Sequence, residues 1–240
     1  MDNSTLKITI LVLLALIVIV LAVFISKGFF KNKNNWGNKD LKKEDLLGDT
    51  FEFVDYGSHY LITKYKGRNK VVEIPKQYKN KPVWGLVTPF LKSNVEKVTF
   101  EKGFIFKNTY LGFMQNTKIV DVTLPSTITK IRNYTKVASA METLEIPPSV
   151  IEIGKLAFAG DNKTSLLREV YLNEGLITIG QGAFGYNPNL KSIRIPKSVK
   201  IFNLDSSYPF GTEFQFKKGT DVSKYEAKYP MMEYMFTFYE

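Results

Sequence analysis

Cysteine is absent from the 240-residue sequence, and His59 is the only histidine. Without cysteine the chain has no disulfides, no thiolate metal ligands and no cysteine nucleophile. A zinc site would have to rely on an unusual number of carboxylates. The phosphate-binding loop Gly-x-x-x-x-Gly-Lys is also missing, and the one Gly-x-Gly-x-x-Gly spacing, at 180–185, does not lie between a predicted strand and a predicted helix. We therefore expect no metal and no cofactor.

Catalytic patterns are equally scarce. His59 lies close in sequence to Asp55 and Ser58, but neighbours at one hairpin tip rarely converge as a catalytic triad does. We interpret His59 as a turn residue and expect no catalytic residues. A hydrolase with paired carboxylates is a third alternative, and it would need a deep cleft where its acids meet.

Arginine occurs at only four positions, although the formal net charge is +10. The lysines are spread along the chain with acids between them, which is typical of a solvated surface. A nucleic-acid groove would need clustered basic and aromatic side chains on one face. We expect no nucleic-acid partner.

One long apolar run is present, from Ile8 to Ile25, interrupted only by Thr9. A helix of this length spans about 27 Å, close to the thickness of the bilayer's hydrocarbon core. A cleaved signal peptide would have a shorter apolar region and a small-x-small cleavage site, which Phe24-Ile25-Ser26 matches poorly. We predict a short tail over 1–7 and an uncleaved signal anchor, a transmembrane helix, over 8–26.

The charges around this helix leave the orientation open. Six lysines follow it within 27–43 and only Lys7 precedes it, so the positive-inside rule favours a cytoplasmic main domain. Large domains, however, translocate largely regardless of charge. Residues 27–49 are rich in Lys and Asn and predict a solvated linker.

A repeated pattern fills the rest of the chain: apolar, two polar, apolar, polar, apolar, often followed by proline. The clearest copies are 141–147 and 190–196. The last apolar position of each copy recurs every 21–26 residues, at Ile74, Phe100, Leu124, Ile146, Leu172, Ile195 and Phe216. This period is typical of leucine-rich solenoids, which offer a binding surface more readily than a catalytic pocket.

Each copy predicts a short strand that ends at proline, because proline lacks an N–H and fixes φ. A second apolar stretch follows, as in 150–158 and 176–184, with Gly, Ala and Phe at fixed positions. We expect Gly to permit a sharp turn, Ala to leave room for neighbouring turns and Phe to fill the centre. Asn187 follows the second copy in a predicted loop between repeats.

The ends of the array need caps. Two stretches in which apolar and polar residues alternate, 51–55 and 59–63, flank Tyr56-Gly57-Ser58 and predict a β-hairpin cap. Near the other end, residues 221–228 predict one or two helical turns. Met231, Met232 and Met235 fit a closing strand or a partner surface. We place the repeat domain at 50–229 and a C-terminal strand or tail at 230–240.

The motif Ile-Pro-x-Ser-Val-x-x-Ile-Gly-x-x-Ala-Phe, which runs from Ile146 to Phe158, resembles the BspA-type leucine-rich repeat family of bacterial surface proteins. The resemblance covers about 50–229, is most specific over 141–196 and is weaker at 100–113 and 128–140. It implies a curved, β-rich solenoid that serves adhesion or protein binding outside the cell.

Together these features predict a β-rich leucine-rich-repeat solenoid of about six repeats with an N-terminal hairpin cap, preceded by one transmembrane helix. Outward strand positions are the candidate partner-binding face: Glu145, Glu169, Tyr171 and Arg194. We predict a membrane-anchored, non-enzymatic surface protein that binds a protein or a glycan. The alternative is a membrane-tethered scaffold that faces the cytoplasm, and the oligomeric state is left open.

Overall fold

The computed structural model describes residues 43–107, 114, 118–134 and 140–240. The predicted tail, the predicted transmembrane helix and most of the predicted linker lie outside these residues. No helix among the described residues is long and apolar enough to cross a membrane.

The described elements alternate short strands with turns and include few helices. In chain order they are α1 (Lys43–Thr50), β1 (Phe51–Asp55), β2 (Tyr60–Tyr65), β3 (Val71–Ile74), β4 (Gln77–Tyr78), β5 (Lys81–Leu86), β6 (Lys97–Phe100), β7 (Asp121–Val122), β8 (Lys130–Ile131), β9 (Thr143–Glu145), β10 (Glu152–Ile153), β11 (Glu169–Tyr171), β12 (Thr178–Ile179), β13 (Ser192–Ile195), β14 (Ile201–Phe202), β15 (Glu213–Lys217), α2 (Ser223–Lys228), a 3₁₀ helix (Pro230–Met235) and β16 (Phe236–Tyr239).

The N-terminal end of the array is a four-stranded sheet in the order β1-β2-β5-β4. Strands β1 and β2 form the antiparallel hairpin that the sequence predicts, with Gly57 at a positive φ of 81° in its turn. Helix α1 precedes the hairpin and occupies the last residues of the predicted linker, where Leu47 packs against the core. An apolar contact thus extends the folded domain a few residues beyond its predicted start.

Parallel strands from successive turns stack into two rows. The first row consists of the sheet β3-β6-β7 and the sheet β9-β11-β13-β15-β16, and the second row is the sheet β8-β10-β12-β14. The result is a β-solenoid of about seven turns, in agreement with the predicted leucine-rich-repeat architecture.

Strand alternation places the repeated apolar residues inside the solenoid. In the turn that contains β9, Leu144 and Ile146 are buried while Thr143 and Glu145 face outward. Pro147 follows directly and ends the strand, as the sequence predicts. The same positions in the neighbouring turns continue this apolar core along the solenoid axis.

The glycines of the second apolar stretch serve a different purpose from the one predicted. Gly154 and Gly180 do not adopt the positive φ that only glycine tolerates readily. Instead, a Cβ on Gly180 would lie 2.6 Å from the backbone carbon of Gly154 in the preceding turn. Glycine is required here because successive turns approach closely. Four residues after these glycines, the buried rings of Phe158 and Phe184 stack with their centroids 5.5 Å apart.

Asn187 is fully buried, although its sequence context suggests an exposed loop. Its amide nitrogen lies 2.8 Å from the carbonyl oxygen of Phe184 and 3.0 Å from that of Phe158, and its amide oxygen accepts a hydrogen bond from Ser165. The side chain therefore satisfies backbone groups of two turns, which a sequence pattern does not reveal.

Aromatic packing closes the C-terminal end. Tyr225 of α2 stacks on Phe216 at 5.5 Å, and Phe236 of β16 lies 5.5 Å from the same ring. Met235 is buried, whereas Met231 is 84% exposed. Of the methionines predicted to form either a cap or a partner surface, Met235 belongs to the cap and Met231 faces solvent.

Candidate binding face

The outward positions of the first row form two columns that run across the strands. Glu169 is paired in register with Thr143 and Ser192, and Tyr171 with Glu145 and Arg194. Opposite residues in a parallel sheet lie about 4.8 Å apart, so side chains within a column can interact. All four predicted face residues lie on the strands β9, β11 and β13.

Three of the four predicted residues are joined in one network. The hydroxyl of Tyr171 donates a hydrogen bond of 2.7 Å to Glu169. The guanidinium of Arg194 lies 5.0 Å from the centre of the Tyr171 ring, and its Nε donates to the amide oxygen of Gln215. A cation over an aromatic face is held electrostatically. The network presents a fixed carboxylate, phenol and guanidinium together at the surface.

The hydrogen bond to Glu169 raises the pKa of the Tyr171 hydroxyl, and partial burial adds to this effect. The cause is that the carboxylate accepts the phenolic proton and so favours the protonated phenol. Tyr171 is therefore a neutral donor throughout the physiological pH range, and Glu169 is its acceptor.

Glu145 borders this network without joining it. It lies beside Tyr171 in register but is exposed, and it makes no ion pair with any described residue. On the opposite side of Glu145 the sheet is interrupted, because β9 pairs with none of the described strands of the preceding turns.

Sequence reasoning missed Tyr239, which extends the face. Its ring lies 5.5 Å from the Arg194 guanidinium, so Arg194 lies near the rings of two tyrosines. The pKa of Tyr239 is raised by burial and by the nearby Glu174 carboxylate. Tyr239 is in the last strand, outside the recognisable repeats, and only the strand β16 brings it to this surface.

A second missed cluster lies on the N-terminal cap. The ring of His59 stacks on Trp84 at 4.0 Å and on Tyr56 at 5.2 Å, and Lys107 lies 4.0 Å from the centre of the Trp84 ring. His59 is thus part of an aromatic stack and not a plain turn residue. Its only side-chain hydrogen-bond partner in the described chain is Ser58, at 3.1 Å.

The described residues contain no group of three or more His, Asp or Glu side chains that could hold a metal ion. The face residues offer hydrogen bonds, charge and aromatic surface, which are means of binding. Tyr and Arg are enriched among residues that dominate the energy of protein interfaces.

Comparison with known proteins gives one family match and two matches to solved structures. The family model described as "BspA type Leucine rich repeat region" matches residues 88–209 in six copies. No curated protein matches this chain. The crystal structure of the leucine-rich repeat protein of T. pallidum is 19% identical, covers 78% of this chain and 95% of its own, and has a TM-score of 0.46. A leucine-rich cell surface protein from Faecalibacterium prausnitzii is 14% identical, covers 70% of this chain and 86% of its own, and has a TM-score of 0.21.

The family match covers slightly more than half of the chain and spans residues of the solenoid. Leucine-rich repeat proteins of this kind are typically non-enzymatic, and they have a protein-interaction role. On these grounds the chain belongs to the BspA-type leucine-rich repeat family.

Proposed function

We propose that this protein is a membrane-anchored, non-enzymatic binding protein that displays its solenoid at the cell surface and uses the strand face for adhesion. The observation that carries the proposal is the Glu169–Tyr171–Arg194 network on the solenoid's outward strand face. Its partner is a protein or a glycan, because the face combines hydrogen-bond donors, acceptors and an aromatic ring.

The anchor in this proposal is the apolar run from Ile8 to Ile25, which lies outside the described residues. The outside location rests on the family, whose members include bacterial surface proteins. A scaffold that faces the cytoplasm is the second candidate, and the lysines within 27–43 favour it through the positive-inside rule.

A binding experiment on intact cells tests the proposed use of the face. Cells that display the full chain are applied to arrays of immobilised extracellular proteins and glycans. Tyr171→Ala combined with Arg194→Ala removes the central phenol and guanidinium. We expect the affinity for the array component that binds the unmodified chain to fall at least ~10-fold, as for hot-spot residues.

Lys64→Ala provides the matched control. Lys64 is an exposed cation on the hairpin cap, paired with Glu52 at 3.4 Å and distant from the face in the chain. This variant should bind like the unmodified protein. If cells that carry the double variant bind as well as cells that carry the unmodified chain, the face is not used. If neither the protein array nor the glycan array retains cells that carry the unmodified chain, the adhesion role is contradicted.

A further inference from the structure

Among the described strands, the first row is interrupted at one place, between β7 and β9. These strands belong to successive turns, and the same two turns are joined on their other side by the pairing of β8 with β10. There the N–H of Ile151 donates to Thr129 at 2.8 Å and that of Gly154 to Ile131 at 2.9 Å. The two turns are therefore held together at one row and separated at the other, like a wedge.

A cavity of about 480 Å³ fills the open side of the wedge. Its floor is apolar and consists of Leu124, Met141 and Leu144, and its walls include the two strands themselves. This volume lies within the range of about 300–1,000 Å³ that is typical of ligand sites. The repeat pattern is weakest at 100–113 and 128–140, in the turns on the N-terminal side of the cavity.

The backbone of β7 presents a free edge to this cavity. The N–H groups of Asp121 and Thr123 donate to Glu96 and Val98 of the preceding turn. Because successive N–H groups of a strand point in opposite directions, the N–H of Val122 points away from β6 and toward β9. Within the described part of the chain β7 pairs only with β6, so this N–H has no strand to donate to.

The backbone of β9 presents the complementary edge. The carbonyl oxygen of Glu142 and the N–H of Ile146 are bonded to the β11 turn, so the N–H groups of Thr143 and Glu145 face β7. Among the residues that the structure describes, β9 pairs only with β11, so these N–H groups, too, have no strand to donate to. Two strand edges that lack partners thus face each other across an apolar floor.

We propose that the wedge between β7 and β9 binds an extended peptide segment of a protein partner, which completes the first row as an inserted strand. An extended polypeptide is the ligand that repeats N–H and C=O groups at about 3.3 Å per residue and can satisfy two strand edges at once. A glycan has hydroxyl groups but lacks this backbone repeat.

The lining also defines the side chains of the inserted segment. Residues that point inward meet Leu124, Met141 and Leu144 and are apolar. A residue opposite Glu145 points outward and is a lysine or arginine, since Glu145 is an exposed carboxylate with no cation beside it in the described chain. One strand earlier, Lys97 and Asp121 form just such a cross-strand ion pair at 2.5 Å.

This inference goes beyond the proposed function. It concerns strand edges and not the Tyr171–Arg194 face, and it requires neither the membrane anchor nor the outside orientation. Changes at Val122 leave the face network intact, so failure of one proposal is distinguishable from failure of the other.

Hydrogen exchange on the full chain in detergent micelles tests whether the edges are free. We expect the amides of Val122, Thr143 and Glu145 to exchange much faster than that of Thr123, which is bonded to Val98 at 3.1 Å. Protection of all four amides to the same degree would mean that the sheet is closed, and the proposal would be wrong.

The ligand class is tested with a phage-displayed library of random twelve-residue peptides, selected on the full chain. The expected result is enrichment of sequences that alternate apolar and basic residues. A synthetic peptide from the selection should slow exchange at Val122, Thr143 and Glu145 at least tenfold. The same peptide with alternate backbone nitrogens methylated should bind at least tenfold more weakly, because it cannot pair with both edges.

Val122→Pro removes the N–H that faces the wedge without removing a bond to β6, and proline is tolerated at strand edges. We expect this variant to lose at least tenfold in affinity for the selected peptide. Glu73→Pro is the matched control, because Glu73 is an exposed position on β3, the other outer strand of the same sheet. The affinity of this variant for the selected peptide should equal that of the unmodified chain.

Three further outcomes would overturn the proposal: no selective enrichment on the wild-type chain, equal affinity of the Val122→Pro variant for the selected peptide, or a dimer in sedimentation that Val122→Pro abolishes. The last result would assign the wedge to a second copy of this chain.

Discussion

Asn187 links neighbouring turns of the solenoid through a single amide. The group lies within hydrogen-bonding distance of the carbonyl oxygens of Phe158 and Phe184 and accepts from Ser165. Buried carbonyl groups that lose their donor cost about 1–3 kcal/mol each. We therefore expect Asn187→Ala to lower the free energy of unfolding by about 3 kcal/mol, measured by urea denaturation.

Asn69→Ala is the control for this prediction, since Asn69 is exposed and its side chain makes no hydrogen bond that the described structure records. Exposed substitutions of this kind usually change stability by less than about 0.5 kcal/mol. Equal small effects of both variants would show that Asn187 does not join the turns.

Asp161 organises an exposed loop by accepting hydrogen bonds from the Thr164 hydroxyl and from the N–H groups of Thr164 and Lys163. These donors, the hydroxyl foremost, hold the pKa of Asp161 well below its ordinary value of 3.8. The ionised carboxylate therefore stabilises the folded chain at neutral pH, and this contribution is lost as the pH falls below about 5.

The comparison of Asp161→Ala with the unmodified chain between pH 7 and pH 2 checks this assignment. The difference in free energy of unfolding should be constant down to about pH 5 and then shrink as the carboxylate becomes protonated. Thr164→Val, which removes the main donor, should show a weaker pH dependence than the unmodified chain. A difference that does not vary with pH would contradict the role of the ionised group.

At the scale of single elements, close approach between turns is the main constraint. Gly180 has no room for a Cβ, which would lie 2.5 Å from the backbone nitrogen of Lys155. We expect Gly180→Ala to push the two turns apart and to lower the free energy of unfolding by about 3 kcal/mol, at the upper end of overpacking effects.

Gly103→Ala separates this packing effect from glycine's backbone freedom. Gly103 has a φ of 83° but no atom within 4 Å of an added Cβ. Its substitution should cost only about 1 kcal/mol, from the strained backbone. A larger effect at Gly103 than at Gly180 in thermal or urea unfolding would contradict the assignment of close packing.

The strands of the first row were predictable because their signal is local. Proline after Ile74, Ile146 and Ile195 and the alternation before it mark both the end and the inward face of each strand. Repetition every 21–26 residues then identifies the solenoid. Tyr171 and Arg194 occupy equivalent positions of successive repeats. Because successive turns stack in register, the period also predicts that these two side chains are neighbours.

Features that depend on contacts between residues at non-equivalent positions of the repeats, or outside the repeats, were not predictable. Asn187 bonds across 22 and 29 residues to groups that no repeat rule aligns with it. His59 and Trp84 stack because β2 and β5 are neighbours in the cap sheet, a pairing outside the repeats. The wedge arises where two turns pair in one row of strands only. The weak repeat pattern in this region indicates an irregular turn, but it does not predict which strand edges are left open.

At the scale of the whole molecule, the chain combines two surfaces suited to binding with a predicted membrane anchor. The strand face presents Tyr171 and Arg194, and the wedge presents the edges of β7 and β9. The surfaces adjoin at Glu145, but Val122 and the Tyr171–Arg194 pair can be altered independently, so the variants described above assign a partner to one surface or the other.

The side of the membrane on which the solenoid lies decides between adhesion and a cytoplasmic scaffold. Since the chain has no cysteine, one introduced thiol gives an unambiguous label. Asn187 is unsuitable because it is buried. Lys163 is exposed, and among the described residues its hydrogen bond is that of its backbone N–H to Asp161, at 2.9 Å.

The most direct measurement is therefore the treatment of intact cells that carry Lys163→Cys with a membrane-impermeant maleimide. A surface-displayed solenoid is labelled without permeabilisation, to the same extent as after lysis. Labelling only after lysis would place the solenoid in the cytoplasm and contradict its role as a cell-surface binding protein.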